Sequence, residues 1–150
     1  MSWKKLLKDG SLQKKKVSFR EVDNILAKAH ESLKAAEVLI IKDLKESAFK
    51  EAYDSMLLAG RALIFSLGYR PRAVGSHVIT IRFCELFLGA DFKILIGKFK
   101  KMKQKRNYLI YGTGLTISHT EAQNAIRNAK QFLKLIKKKI DKVRKQKELI

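Results

Sequence analysis

Between Lys98 and Tyr111 the chain runs Lys98, Lys100, Lys101, Lys103, Lys105 and Arg106 into Asn107, Tyr108 and Tyr111. Cations beside aromatic planes can hold phosphate and stack unpaired bases, so this run is the first place to look for chemistry with RNA or a nucleotide. Lys101, Lys103, Lys105, Arg106, Asn107, Tyr108 and Tyr111 are the candidate binding residues, with one of the two tyrosines expected in the core. Arg106 and Asn107 also admit a structural role, in which they fix a turn between two helices by bonding carbonyl groups and a buried acid. Asp54 is the acid expected to pair with Arg106, since a carboxylate in mid-helix is costly to bury alone. Elsewhere the reactive side chains are sparse. His30, His77 and His119 have no ligand spacing, and Cys84 is the single cysteine. That count excludes an intramolecular disulfide and a cysteine-ligated metal, and Cys84, with Phe83 and Leu86 nearby, is expected as a buried, inert thiol. No metal and no cofactor is predicted.

The net charge of +19, from 33 Lys and Arg against 14 Asp and Glu, exceeds what solubility asks of a small domain and attracts polyanions over a Debye length or more. A second basic run, Lys130 to Lys147, makes the solvent face of the last helix cationic. Lysines that merely solvate exposed helix faces are the alternative reading of both runs.

These side chains need helices to position them. At 150 residues, with 46% hydrophobic and 31% charged residues and a single proline, the chain has the composition of one globular domain rich in helix. Val22, Ile25, Leu26, Ala29, Leu33 and Ala36 recur at steps of three and four and predict a helix from about 18 to 41, with Ser18 and Glu21 as a capping box. A second helix from about Glu46 carries a stripe of small residues, Ala48, Ala52, Ser55, Ala59 and Ala62, flanked by larger apolar ones. Apolar over most of its circumference, it is expected at the centre, and Gly68 and Pro71 end it. A loop RPRAVGSH precedes a third helix from His77 to Leu88, and a fourth runs from Phe92 through the lysine cluster. GTGLTIS is expected as a loop, extended at 115–117, before a long amphipathic helix that begins at Ser118 or Thr120. The fold class predicted is all-α, an antiparallel bundle of four to five helices. Its parts are an N-terminal segment, 1–17, with a short helical turn and a linker SLQKKK; the bundle, 18–145; and a frayed basic C-terminus, 146–150. No apolar run is long enough to span a membrane and no signal-like segment opens the chain, so a cytoplasmic protein is expected.

The helix with AYDSMLLAGRALIFSLGYRPR, the following His77, and KRNYLIYG ahead of TEAQNAIRNAKQFLKLI resemble prokaryotic HEPN (higher eukaryotes and prokaryotes nucleotide-binding) proteins over about 18–140. The resemblance implies a helical bundle that forms a homodimer and holds an Arg-centred polar motif in a cleft. Many such proteins are metal-independent ribonucleases in which an Arg is followed four to six residues later by a His. The cation stabilises charge growing on the phosphate, and the imidazole moves a proton to or from the ribose. Arg106 and Asn107 match the start of that motif, but Ile110, Tyr111 and Gly112 stand where the His belongs. A phenol with a pKa near 10 is a poor base at neutral pH. Arg72 and His77 reproduce the spacing, but in the loop after the second helix.

The resemblance therefore implies a HEPN protein that binds RNA, a nucleotide or a partner protein without catalysis, the partner being a minimal nucleotidyltransferase of a toxin-antitoxin type system. A metal-independent ribonuclease is the alternative, with Arg106, His77 and Tyr111 as candidate catalytic residues, and a purely structural helical scaffold is the third reading.

Overall fold

In the computed structural model, which describes residues 2–111 and 116–149 and gives Tyr111 in its backbone alone, the chain forms α1 (Lys5–Lys8), β1 (Leu12–Lys14), α2 (Phe19–Ile41), α3 (Lys45–Ser66), β2 (Tyr69–Pro71), α4 (Ser76–Leu88), α5 (Lys93–Tyr111) and α6 (His119–Glu148). A single 3-10 turn, Ala90–Phe92, joins α4 to α5. The all-helical bundle expected from the sequence is present. Ser18, in extended backbone, accepts a hydrogen bond from the Glu21 amide at 3.3 Å and starts α2. Only half of the expected capping box forms there, because the Glu21 carboxylate turns to Lys15 at 2.9 Å. The complete box is at α6, where Ser118 and Glu121 satisfy each other's backbone amides.

α2 buries Val22, Leu26, Ala29, Leu33 and Ala36, the stripe its spacing predicts. The short turn after it, through Asp43 at φ +59°, reverses the chain so that α3 packs antiparallel along α2. α3 is buried on nearly every side and also packs on α4, α5 and α6. Its small residues permit this. At Gly60 a Cβ would stand 2.8 Å from the Thr80 methyl and 3.2 Å from the Cys84 sulfur, so α3 and α4 touch where there is no side chain between them. α6 buries an unbroken stripe from Ala122 to Val143. It continues through Glu148, beyond the 145 limit expected from the sequence, because the helix needs no core contact to extend over its last lysine-rich turns. No helix among the described residues is long and apolar enough to cross a membrane.

The stretch SLQKKK is not a plain linker. Leu12, Gln13 and Lys14 pair antiparallel with Pro71, Arg70 and Tyr69, extended by Arg72 N–H to Ser11 O and Lys15 N–H to Gly68 O, both 2.9 Å. Periodicity over three residues carries no signal, and Pro71 argues against a strand; the pairing is possible because an edge strand tolerates a missing N–H. Leu6 and Leu12 join the core, and Trp3 packs edge-on to Tyr69 and Phe83, with ring centroids 5.7 and 5.3 Å apart. The N-terminal segment is thus fastened to the loop after α3 and to α4.

Candidate nucleic-acid interface

Three elements meet at Tyr53. The tyrosine is fully buried on α3, and its hydroxyl lies 3.1 Å from Nδ1 of His77. His77 is held in the first turn of α4 by the backbone reversal at Gly75, φ +72°, and by Thr80, whose hydroxyl donates to the Ser76 carbonyl at 2.7 Å. From α5 comes Arg106, its guanidinium carbon 5.7 Å from the Tyr53 ring centre and its Nη2 4.0 Å from Asp54 Oδ1. That distance is an ion pair without a hydrogen bond. Arg106 Nε is buried with no hydrogen-bond partner. Phe99 packs edge-on to Tyr53 at 5.8 Å and to Phe132 at 5.1 Å, which ties the floor of this cleft to α6.

The charges here oppose one another. Burial, then Arg106, Lys103 and Arg61 in that order, hold the His77 pKa below its ordinary value, so the imidazole is neutral at pH 7. Burial raises the Tyr53 pKa far above the phenol range, so its O–H stays protonated. Burial also raises the Asp54 pKa, against the pull of Arg106. The protonated phenol and His77 Nδ1 share this hydrogen bond, and the imidazole tautomer sets which of them donates; donation from the phenol places the imidazole proton on Nε2. This is the reverse of a catalytic triad, in which an acceptor on Nδ1 leaves Nε2 bare to take a proton. The cleft therefore carries donors: the Arg106 guanidinium, the His77 Nε2–H and the Lys103 ammonium. Such a set suits phosphate oxygens.

The basic run does not act as one patch. Successive residues on a helix are about 100° apart, which puts Lys103 and Arg106 on the flank of α5 toward α3 and α4. Lys101, Lys105 and Tyr108 lie on the flank toward α6, where they line a groove of about 580 Å³. Lys105 pairs with Glu121, the capping acid of α6. Arg106 and Asn107 are within α5 rather than in a turn between helices, and the Asn107 side chain makes no hydrogen bond among the described residues. The Tyr111 side chain and residues 112–115 lie outside the described residues, and with them the Gly112–Leu115 part of the expected loop. Residues 116–118 form no regular element. Arg72 is not among the cations that lower the His77 pKa; its Nε donates to the Val74 carbonyl at 3.3 Å and braces its own turn. Two contributors escaped sequence reasoning. Tyr53, one aromatic among the apolar residues of α3, carries no signal of its own in the sequence, and Arg61 sits seven residues after Asp54, two helical turns along α3, a spacing that could have marked it. Cys84 is buried, and burial pushes its thiol pKa up to about 12, which makes it inert. No group of three or more His, Cys, Asp or Glu among the described residues is placed to hold a metal.

The family model of the HEPN domain matches residues 22–140, from the first core residue of α2 to the last third of α6. The chain belongs to the HEPN family. No curated protein matches it. Membership marks a nucleotide- or RNA-related module, and the matched segment of this HEPN domain contains all of Tyr53, Asp54, His77, Lys103 and Arg106.

Proposed function

We propose that this HEPN domain binds RNA, or a nucleotide, through phosphate at the Arg106, His77 and Lys103 donors and does not cleave it. The observation that carries this reading is the Tyr53 hydroxyl 3.1 Å from His77 Nδ1: with the phenol as donor, the imidazole proton lies on Nε2 and that nitrogen is no base. The net charge of +19 supports a polyanionic partner, and the buried, unpartnered Nε of Arg106 leaves a donor without an acceptor in the cleft. With no His at 110–112, catalysis belongs to a partner, which on the family resemblance is a minimal nucleotidyltransferase in a toxin-antitoxin type module. A homodimer is proposed on the same ground, C2 pairing being the commonest assembly.

The second reading, a metal-independent ribonuclease, is favoured by one fact: Arg106 and His77 converge on the same tyrosine although they stand far apart in sequence. A single experiment separates the two. Purified protein is incubated with mixed RNA in chelator, beside Arg106→Ala and His77→Ala, and both cleavage and retention are read. Salt-dependent retention of intact RNA, weakened in Arg106→Ala, is the expected result. Cleavage lost in Arg106→Ala makes the protein a nuclease, and no retention at physiological salt returns it to a helical scaffold.

A further inference from the structure

We infer that the groove between α5 and α6 is a nucleobase pocket, which takes one nucleotide unit with an adenine-like base, either free or as an unstacked residue of an RNA strand. The inference rests on the reading of this domain as a phosphate binder but uses the flank of α5 turned away from His77.

The groove has the three components a nucleotide requires. Its floor is apolar: Phe49 from α3, Met102 from α5 and Ala125 from α6, all buried. Tyr108 stands at its edge, 63% exposed, although a tyrosine in this bundle could have been buried. An aromatic plane held at the mouth of an apolar cavity offers a stacking face to a base of any identity. The volume of about 580 Å³ lies within the range of small-ligand sites, roughly 300–1,000 Å³. Lys98 and Lys101 reach the same groove from α5 and make no ion pair among the described residues, in contrast to Lys105. They supply the cationic end for a phosphate.

Two side-chain amides supply the hydrogen bonds. Gln104 lines the groove and makes no hydrogen bond among the described residues. Asn128 turns its Nδ2 toward the Met102 sulfur at 3.9 Å, a weak contact that leaves its carbonyl oxygen as an acceptor. An acceptor pairs with an exocyclic amine, as on adenine or cytosine, and meets a like group at O4 of uracil. Asn124 contributes less, since its oxygen is engaged by Arg127 at 2.9 Å.

The test is a calorimetric titration of the full chain with AMP, UMP, ribose 5-phosphate and a short oligoadenylate, repeated on Tyr108→Ala and Lys101→Ala. Both side chains are exposed, so the variants fold, and circular dichroism verifies this. AMP is expected to bind about tenfold more tightly than UMP or the base-free sugar phosphate. Tyr108→Ala is expected to weaken that binding by about tenfold to a hundredfold. Binding of AMP identifies a free nucleotide as a sufficient ligand; binding of the oligoadenylate alone identifies a strand. Ribose 5-phosphate that binds as well as AMP, an unchanged Tyr108→Ala, or no binding of either adenine probe overturns the pocket. Mixed-RNA retention is measured beside it with Arg106→Ala. Retention lost in Arg106→Ala with no adenine signal leaves the cleft standing and removes the pocket. An adenine signal that depends on Tyr108 without RNA retention does the reverse.

Discussion

Replacing Gly60 by alanine tests whether α4, and with it His77, is seated by direct contact with the α3 backbone. The new methyl would meet the Thr80 methyl at 2.8 Å and the Cys84 sulfur at 3.2 Å, against an ordinary carbon separation of about 3.5–4.0 Å. Thr80 cannot yield easily, because it is fully buried and its hydroxyl is bonded to the Ser76 carbonyl at 2.7 Å. Overpacking of this kind costs about 1–3 kcal/mol, and a contact so short against a pinned side chain belongs at the upper end. Alanine returns roughly 1 kcal/mol through its better helix propensity. A net loss of about 1–2 kcal/mol follows, which for a chain of this length lowers Tm by roughly 2–8 °C. Urea unfolding followed by circular dichroism measures it. The double variant Gly60→Ala with Thr80→Ser removes the offending methyl while keeping the hydroxyl bond, and should recover most of the loss. An alanine variant as stable as the parent, or a serine that rescues nothing, would refute the idea that this contact seats α4.

Other consequences follow from the same geometry. Tyr53→Phe removes the donor on His77 Nδ1, so the imidazole is freed to exchange tautomers; nitrogen NMR of His77 should show the Nε2–H form dominant in the parent and a mixture in the variant, at a stability cost of about 1 kcal/mol. Because the folded-state pKa of His77 is depressed, its contribution to stability is fully present above the ordinary histidine value of about 6.5 and is lost as pH falls below it, the unfolded chain then binding the extra proton. Urea midpoints measured across that range should decline in the parent and flatten in His77→Gln. Ser118→Ala removes the hydroxyl that caps α6, with an expected loss of about 1 kcal/mol in urea unfolding.

The helices were legible because their apolar spacing is strong: the stripes of α2 and α6 are buried as the sequence predicts, and the small residues of α3 do mark the centre. The β1 and β2 ribbon was not, since three paired residues have no period and their partner lies 57 positions away at Gln13 and Arg70. The same distance problem hid the cleft. A motif read along α5 places Lys101 beside Arg106, yet the helix turns them to different sides, and the imidazole that shares Tyr53 with Arg106 arrives from α4. Sequence spacing can show which residues share a helix face; it cannot show which face another helix will bring to meet them.

The chain contains one tryptophan, and the fold puts it to unusual use. Trp3 rests against Phe83 and Phe87 of α4 as well as Tyr69 of β2, so the N-terminal clasp closes over the same helix whose first turn holds His77. Indole emission shifts to the red as the ring becomes wet. The intrinsic fluorescence of this protein is therefore an optical gauge of whether the clasp is shut on α4, and it needs neither label nor mutation.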